Sequence, residues 1–411
     1  MLKVMKKVVV IGGGASGLMA GAESAKLGND VTIIEKMPRP ARKVLISGKG
    51  RCNVTNACFE LNELISNVPK NPRFLYSAFS NFMPYDMIAF LQDMGVETKI
   101  ERGNRVFPVS DKAVDIVDAL VNNAKMSGAK IINATAKGFD FDGKKINGVI
   151  FENDEVIECD SVAICTGGKS YPATGSTGDG YILARSVGHT VTKITPALVP
   201  LVSSNNFIPK LQGLSLKNIS IKLLKDDKSI YTDFGEMLFT HFGVSGPVIL
   251  SASSHIRDIK NGKYKIVIDL KPALDETMLD KRILRDFSNE GNKDFINSLS
   301  ALLPKKIIPV IVNLSGIEPS RKVNSITKEE RRNLVHLMKN FEINITDFYS
   351  IDAAIVTSGG VDVKEIDPKT MKSKIVENLY FAGEVIDVDA YTGGFNLQIA
   401  FSTGVLCGQN M

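Results

Sequence analysis

Short apolar runs separated by glycine-rich turns predict a βαβ unit at the start of the chain. Val8–Ile11 is an apolar run of the kind that a buried parallel strand needs. The next stretch, Leu18–Leu27, is rich in small residues and predicts a helix, and the β-branched run Val31–Ile34 predicts a second strand that ends at Glu35. The pattern is typical of an α/β fold with a parallel sheet.

The hydrophobic pattern changes further along the chain and predicts an insertion. Pro196–Ile268 alternates between apolar and polar residues, which predicts a β-rich segment, and residues 275–348 are predicted to be helical. Short apolar strands return at Ala354–Thr357 and Leu379–Ala382, and a last helix is predicted over Leu397–Leu406. We therefore expect a discontinuous nucleotide-binding domain that is interrupted by the inserted segment.

The turn after the first strand carries the Gly12-x-Gly14-x-x-Gly17 pattern of a dinucleotide site. Gly12 permits the tight turn, Gly14 lets the backbone approach a pyrophosphate, and Gly17 lets the helix pack on the strand. Glu35 can accept hydrogen bonds from ribose hydroxyls, which favours NAD or FAD over NADP. The alternative, a glycine-rich turn in an ordinary α/β domain, would not require this acid.

The loop that follows Glu35 is basic and contains the segment Ser47–Asn53 with two further glycines. Cations and glycines at this place in a dinucleotide fold are suited to wrapping an anionic cofactor, because the backbone must come close to it. A solvated basic loop is the alternative. The cations of the loop are Arg39, Arg42, Lys43, Lys49 and Arg51.

The C-terminal segment favours FAD over NAD. The sequence has no second dinucleotide fingerprint, and it returns to the nucleotide domain through Gly393-Gly394 at the start of a predicted helix. Reduced flavin carries negative charge, which the N–H groups of Gly394, Phe395 and Asn396 and the helix dipole would stabilise. A plain turn at a helix N-terminus is the alternative explanation of the glycine pair.

The composition of the chain limits which other classes of protein it can belong to. The chain has 411 residues, of which 44% are apolar and 23% charged, as in globular proteins with two or three domains. Its apolar runs are shorter than the ~18 residues of a membrane span. Lys6-Lys7 leads straight into the first strand, so we expect a cytoplasmic protein without a membrane partner. The five cysteines lack CxxC and metal-ligand spacing, and no metal is expected.

The positive net charge of the chain is compatible with an anionic partner. The net charge of +5 permits such a partner without requiring one. Leu302–Lys339 contains eight Lys or Arg against three Glu. A solvated helical face is one interpretation of this segment, and a contact for an anionic substrate or RNA is the other.

Several longer motifs follow one another along nearly the whole chain. They are GGGASGLMAG at 12–21, ISGKGRCNVTNA at 46–57, RVFPVSDKA at 105–113, TGGKSYPATGSTGDGY at 166–181, LFTHFGVSGP at 238–247, VTSGGV at 356–361 and LYFAGEVIDVDAYTGGFNLQIAFSTG at 379–404. On these motifs the chain resembles the BaiN/YhiN-type family of NAD(P)/FAD-dependent oxidoreductases, flavoproteins that include aminoacetone-oxidase-like members.

The resemblance implies an α/β architecture. A Rossmann-type FAD-binding domain of the glutathione-reductase-like GxGxxG fold would carry an inserted β-rich domain and a small helical domain. The expected bounds are 1–190 and 352–411 for the discontinuous FAD-binding domain, 191–271 for the β-rich substrate domain, and 272–351 for the helical subdomain.

The resemblance also implies a set of FAD contacts, which extends the residues argued from the glycine pattern. The expected contacts are Gly12, Gly14, Ala15, Ser16, Gly17, Glu35, Lys36, Arg42, Lys43, Gly50, Arg51, Cys52, Asn53, Ala136, Thr166, Gly167, Gly168, Gly383, Glu384, Asp387, Gly394, Phe395, Asn396 and Leu397.

The resemblance implies three possible activities: reduction of conjugated double bonds in 3-oxo bile-acid intermediates, reduction of uridine in ribosomal RNA, and oxidation of aminoacetone. The first two share a hydride transfer from flavin N5 to the β-carbon of an enone-like system, with protonation of the neighbouring carbon. That step, on a small-molecule substrate with NAD(P)H as a transient electron donor, is our leading hypothesis. An oxygen-using amine oxidase and a ribosomal RNA dihydrouridine synthase are the alternatives.

Three residues are candidates for the proton donor. His241 lies in the LFTHFGVSGP motif of the inserted domain, but a buried histidine with satisfied hydrogen bonds on a strand is an equally good interpretation. Tyr391 and Cys52 are further candidates, because their motifs are expected near the flavin. The other histidines are interpreted as surface or packing residues.

Overall fold

The computed structural model describes residues 5–411. These residues form two compact units, each with its own hydrophobic core. The first, which we call the nucleotide unit, is the chain up to Ala197 together with Ile351–Met411, and the second, the inserted unit, is Leu198–Ser350.

The strands alternate with helices in the nucleotide unit and cluster in the inserted unit. In chain order the strands are β1 (Lys7–Ile11), β2 (Asp30–Glu35), β3 (Thr55–Asn56), β4 (Thr98–Glu101), β5 (Arg105–Pro108), β6 (Lys130–Asn133), β7 (Ala136–Phe141), β8 (Ile146–Phe151), β9 (Val156–Glu158), β10 (Ser161–Ile164), β11 (Thr195–Ala197), β12 (Leu201–Ser203), β13 (Ser215–Lys225), β14 (Lys228–Phe239), β15 (Gly243–Ser245), β16 (Tyr264–Asp269), β17 (Phe341–Phe348), β18 (Val356–Ser358) and β19 (Leu379–Phe381).

The helices range from single turns to more than four turns. In chain order they are α1 (Ala15–Lys26), α2 (Arg42–Ile46), α3 (Leu61–Ser66), α4 (Tyr76–Asn81), α5 (Pro84–Asp93), α6 (Ala113–Met126), α7 (Asp179–Ser186), α8 (Ile208–Leu211), α9 (Pro247–Ser253), α10 (Glu276–Asn289), α11 (Phe295–Ser298), α12 (Ile308–Ser315), α13 (Lys328–Lys339) and α14 (Phe395–Asn410).

A parallel sheet with strand order β19-β10-β1-β2-β6 forms the centre of the nucleotide unit. Val8, Val9 and Val10 of β1 are buried, which explains the continuous apolar run, because a strand in the middle of a covered parallel sheet is buried on both faces. The βαβ unit predicted from the sequence is confirmed. Since β1, β2 and β10 are parallel, their carboxyl ends lie at one edge of the sheet.

Gly12 and Gly17 of the first turn have the roles that the sequence predicts. Gly12 has φ +105°, and a Cβ atom on it would lie 2.5 Å from the carbonyl oxygen of Cys165. A Cβ atom on Gly17 would lie 1.9 Å from the carbonyl oxygen of Gly12. Gly12 therefore permits the turn beside β10, and Gly17 permits α1 to pack against that turn.

The inserted unit is a closed barrel with strand order β12-β15-β14-β13-β16-β17. Ile219, Ile221 and Leu223 of β13 are buried at alternate positions, and the residues between them are more exposed. This period of two is the pattern of a strand with one face toward a core. The β-rich segment predicted from the alternation over 196–268 is confirmed.

The prediction that residues 275–348 are wholly helical is wrong at its end. Helices α10 to α13 occupy much of this range, but β17 forms its last eight residues and closes the barrel between β16 and β12. Phe341, Ile343 and Ile345 are buried at alternate positions of β17. The alternation is present in the sequence, and it begins directly after α13 ends at Lys339.

The barrel and the helices of the inserted unit share one hydrophobic core, in which Ile266 of β16 lies with Leu334 of α13. The compact unit runs from Leu198 to Ser350, close to the outer bounds expected for the two inserted domains together. The expected division at 271/272 stays a prediction. Within residues 5–411 no helix has both the length and the apolar character that a membrane span requires.

Candidate cofactor-binding cleft

A cleft opens in the nucleotide unit where the parallel strands end. Its lining includes Ile11 at the end of β1, Glu35 at the end of β2, and Thr166 after β10. In open α/β sheets, ligands bind in the crevice beyond the carboxyl ends of the strands. The position of the cleft is therefore that of a nucleotide site.

The N-terminus of α1 faces this cleft. Gly14 is the N-cap residue, and Ala15 and Ser16 of the first turn line the cleft. Within residues 5–411 no side chain caps this helix. A Cβ atom on Gly14 would meet no described atom within 4 Å, so the backbone is open to a ligand here. Free N–H groups and the positive end of the helix dipole form an anion site.

The N-terminus of α14 reaches the same cleft. Gly394 is its N-cap residue, and Asn396 and Leu397 line the cleft. The side chain of Asn396 bonds back to the N–H and C=O of Ala390, at 2.9 and 2.7 Å, and does not cap the helix. Two helix dipoles thus direct their positive ends at one cleft.

Gly394 is needed for a reason other than the one expected from the sequence. Its φ is +100°, and a Cβ atom on it would lie 2.3 Å from the backbone carbon and oxygen of Thr55. The glycine therefore lets α14 start against β3. The approach of its backbone to a flavin ring stays a prediction.

Glu35 is held by backbone groups on both sides. Its carboxylate oxygens accept hydrogen bonds from the N–H of Gly13 at 2.9 Å and of Met37 at 2.8 Å. Burial raises the pKa of Glu35, and these N–H groups together with the charges of Lys36 and Arg42 oppose that rise. Each carboxylate oxygen has a second lone pair, so the group can still accept from ribose hydroxyls.

The cations beside the cleft have acidic partners from distant parts of the chain. Lys43 Nζ lies 2.8 Å from Glu384 Oε2 and donates to Ser170 Oγ at 2.7 Å. The other carboxylate oxygen of Glu384 accepts from the N–H of Thr357 at 2.7 Å. Lys36 pairs with Asp179. Local charge at the cleft is therefore largely balanced.

Arg51 lies away from the cleft in an ion-pair network. It pairs with Glu101 and Asp111, and its guanidinium stacks over the Phe107 ring at 4.2 Å from the centroid. These partners raise its pKa further above the ordinary arginine value. The structure thus gives Arg51 a role in joining its loop to the β4–β5 hairpin, whereas its predicted contact with FAD stays a prediction.

The structure brings part of the predicted FAD contacts together in the lining of the cleft, and the rest lie outside that lining. Those that line the cleft are Gly12, Gly14, Ala15, Ser16, Glu35, Lys36, Arg42, Lys43, Ala136, Thr166, Gly167, Glu384, Asn396 and Leu397. Those outside the lining, in the structure of residues 5–411, are Gly17, Gly50, Arg51, Cys52, Asn53, Gly168, Gly383, Asp387, Gly394 and Phe395.

Asp387 and Gly383 are two of the predicted FAD contacts that lie outside the lining of the cleft. Asp387 is buried, and its Oδ1 lies 2.5 Å from Nζ of Lys70. Gly383 has φ +80°, and a Cβ atom on it would lie 2.5 Å from the hydroxyl of Ser16. Both residues support the segments that form the cleft.

Sequence reasoning missed several lining residues. Thr174 to Ser176 lie in the glycine-rich stretch between β10 and α7, so composition gave a signal for them. Thr135, in the short link between β6 and β7, and Val388, between two aspartates, carried no such signal.

The three proton-donor candidates lie in different surroundings. His241 is exposed in the turn between β14 and β15, so the interpretation as a buried strand histidine is wrong. Cys52 is fully buried, and burial raises the pKa of its thiol to about 12. Tyr391 is half-buried, and its carbonyl oxygen accepts from the side chain of the cleft-lining Asn396 at 3.2 Å. The role of Cys52 as a proton donor stays a prediction.

The parallel sheet, the glycine turn and the acid at the end of β2 fit a bound dinucleotide. The opening at Gly14 leaves space for a pyrophosphate at the N–H groups of α1, and Glu35 lies where a ribose would follow. The fold and the cleft together define the class of Rossmann-type dinucleotide-binding proteins.

Comparison with known proteins gives the family within this class. Residues 6–410 match the family model described as HI0933-like protein Rossmann domain, and the chain belongs to this family. The predicted membership of the BaiN/YhiN-type flavoproteins is thereby confirmed. The chain is an FAD-dependent oxidoreductase with a Rossmann-type FAD-binding fold.

Two curated proteins are similar to this chain over nearly its full length. The 3-dehydro-bile acid delta(4,6)-reductase of Clostridium scindens is 30% identical and covers 98% of both chains. The ribosomal RNA dihydrouridine synthase of Haemophilus influenzae is 32% identical, over 97% of this chain and 96% of its own. Among solved structures, the 3-ketosteroid delta1-dehydrogenase of Sterolibacterium denitrificans shares the fold, with a TM-score of 0.54, 12% identity and 99% coverage of both chains.

Proposed function

We propose that this chain reduces a carbon–carbon double bond that is conjugated to a carbonyl group, with NAD(P)H as a transient source of electrons. The names of the two full-length relatives describe reductions of this kind, one on a bile acid and one on a uracil ring. A hydride adds to the β-carbon and a proton adds to the neighbouring carbon, so that the double bond becomes saturated.

The observation that carries the proposal is the meeting of two helix N-termini at one cleft. The N–H groups of Ala15 and Ser16 would hold the pyrophosphate of FAD, and Glu35 would hold the ribose. The first turn of α14, with Asn396 and Leu397, would stabilise negative charge on the flavin. When bound, FAD supplies the hydride that the substrate receives.

We propose Tyr391 as the proton donor. Its peptide is fixed to two elements, because its N–H donates to the carbonyl of Asn67 at 3.0 Å and its own carbonyl accepts from Asn396. A phenol can donate a proton in the transition state and recover it from solvent. A Tyr391→Phe variant should keep FAD and lose most of its turnover, and unchanged turnover would remove Tyr391 from this role.

A small molecule is favoured over ribosomal RNA as the substrate, because half of the eight cations of the basic segment Leu302–Lys339 are paired with local acids. The ion pairs within the inserted unit are Arg321–Glu330, Lys322–Asp294, Arg331–Asp280 and Lys339–Asp269. Phosphate binding depends on cations that are free to replace counterions. The ribosomal RNA reaction remains the second candidate, since the relative at 32% identity carries that name.

The proposal is tested by asking which compound takes electrons from the reduced protein. The FAD-loaded chain is reduced without oxygen by NADH or NADPH, and the flavin spectrum is followed after adding androstenedione, a uridine-containing RNA fragment, or aminoacetone with oxygen. Flavin oxidation by androstenedione or by the RNA without oxygen supports the proposal. Oxidation only by oxygen, with peroxide formed from the amine, would show an oxidase instead.

A further inference from the structure

A glycine-rich loop joins β10 to α7 and lies along the cofactor cleft. It comprises residues 166–178, and we call it the strap. Residues 174–176 of the strap line the cleft, as do Glu35 and Lys36 at the end of β2. In the sheet β1 lies between β10 and β2. A loop that starts after β10 and reaches the end of β2 therefore bridges the place where β1 ends and the glycine turn begins.

The side chain of Lys36 binds the far end of the strap. Its Nζ donates to the hydroxyl of Thr177 at 2.5 Å and pairs with the carboxylate of Asp179, the first residue of α7. The Thr177 hydroxyl in turn donates to the other carboxylate oxygen of Asp179 at 2.6 Å. The three groups form one closed set of hydrogen bonds between the two sides of the cleft. We call these three residues the latch.

The backbone of the strap has the features of a hinged segment. Gly167 and Gly178, near its two ends, have φ of +73° and +92°. Glycine adopts such angles without strain, and hinges are commonly a few loop or element-terminal residues that absorb changes of φ and ψ. A Cβ atom on Gly175 would lie 2.8 Å from Cγ of Met37, so the middle of the strap is in close contact with the chain after β2.

We infer that the strap closes over bound FAD and that the latch holds it closed, so that FAD enters and leaves only when the Lys36–Asp179 pair opens. The pyrophosphate of FAD belongs at the N-terminus of α1, on the edge of the sheet that the strap bridges. Lys36 is then a positioning residue of the cofactor site. The inference goes beyond the proposed reaction, because it concerns retention of the cofactor and not the substrate.

A direct contact between Lys36 and the phosphates of FAD makes a different prediction for the rates. Loss of a cation beside an anionic ligand slows association and speeds release, and loss of an acid does the reverse. Opening of a latch speeds both association and release, because both pass through the open state. The direction of each rate change therefore distinguishes a latch from a contact.

The test removes each side of the latch in turn. Association of FAD with the FAD-free chain is followed by flavin fluorescence, and release by exchange of labelled FAD from the loaded chain against excess unlabelled FAD. We expect Lys36→Met to speed association and Asp179→Asn to speed release, each about threefold or more, as for loss of a partly exposed ion pair. Charge alone would change each of these two rates in the opposite direction.

Two further variants control for charge and for general loosening. Thr177→Val keeps both charges of the latch and removes the hydroxyl that joins them, so it should speed association and release together. Lys130→Met is the matched control, because Lys130 Nζ lies 3.0 Å from Oδ1 of Asp30 at the start of β2, at the opposite edge of the same sheet. It should leave both rates unchanged. The thermal unfolding midpoint of each FAD-free variant confirms that it is folded.

Several results would overturn the inference. They are slower or unchanged association in Lys36→Met, slower or unchanged release in Asp179→Asn, and an equal increase of both rates in Lys130→Met. Slower association with faster release in Lys36→Met would make Lys36 a direct contact of FAD instead. These rates are measured without substrate, so a failure of the proposed reaction does not alter them, and a failure of the latch leaves the proposed reaction standing.

Discussion

At the scale of single residues, the glycines of the first turn differ in whether folding or ligand binding explains them. Gly12 and Gly17 have neighbours so close that a Cβ atom would collide with backbone oxygens. Gly14 has an ordinary φ of −83°, and a Cβ atom there would meet no described atom within 4 Å. Folding therefore does not explain the glycine at position 14, whereas a closely bound pyrophosphate does.

This difference predicts opposite results for two alanine substitutions. Gly14→Ala should change the free energy of unfolding of the FAD-free chain by no more than about 0.5 kcal/mol, but raise the Kd for FAD about tenfold or more. Gly17→Ala should destabilise the FAD-free chain by about 1–3 kcal/mol, because α1 must shift away from the turn. Urea unfolding and FAD titration measure both quantities. Unchanged FAD affinity in Gly14→Ala would argue against a pyrophosphate at α1.

His189 gives a prediction about pH. Its ring is buried against Phe381, with Nδ1 3.0 Å from Glu365 Oε2 and Nε2 2.8 Å from Ser373 Oγ. Burial lowers the pKa of His189, although Glu365 acts in the opposite direction. As the pH falls below the ordinary histidine pKa of about 6.5, the unfolded chain takes up a proton that the folded chain does not, so the folded state loses stability.

The urea midpoint should therefore fall between pH 7 and pH 5.5 by more in the unmodified chain than in His189→Gln. His336 is exposed on α13, so His336→Gln is the matched control and should keep the original pH dependence. Equal pH slopes in the unmodified chain and His189→Gln would show that this histidine does not contribute.

At the scale of elements, α14 is fixed at its start by a buried amide. The Oε1 of Gln398 accepts from the hydroxyl of Thr55 at 2.6 Å, and its Nε2 donates to the carbonyl of Phe82 at 3.0 Å and to Ser402 at 2.9 Å. Gln398 is fully buried, and these bonds join the first turn of the helix to β3 and to the segment before α5. The direction of the helix dipole at the cleft thus depends on Gln398.

Replacing Gln398 with leucine should lower stability and change the flavin. The unpaired groups that remain cost about 1–3 kcal/mol each, and a displaced helix terminus would stabilise reduced flavin less, which makes the reduction potential more negative. Gln409→Leu is the control, because Gln409 is exposed near the other end of α14. A potential that is equal in Gln398→Leu and Gln409→Leu would contradict this role of α14.

The sequence was informative where local pattern decides the structure. The apolar run of β1, the glycine turn and Glu35 predicted the nucleotide unit, since each is a local requirement of a βαβ unit. β17 was missed because its alternating residues follow a basic helix without a proline or glycine between them. The Lys43–Glu384 ion pair could not be predicted for a different reason. Its two residues lie far apart in sequence, and only the fold brings them together.

At the scale of the whole molecule, the two units have different features. The nucleotide unit has the cleft with its two helix N-termini, and the inserted unit has a separate core. Ion pairs within the inserted unit balance half of the cations of Leu302–Lys339. The smaller number of unpaired cations that remain favours a small substrate over a polyanion.

The most direct test of this account is a single turnover without oxygen. The FAD-loaded chain is reduced by a limiting amount of NAD(P)H and mixed with androstenedione, and the product is analysed by mass spectrometry. We expect one saturated product, heavier by two hydrogens, for each flavin that is oxidised. Flavin that stays reduced with androstenedione and with uridine-containing RNA, and is oxidised only when oxygen enters with release of peroxide, would contradict the account.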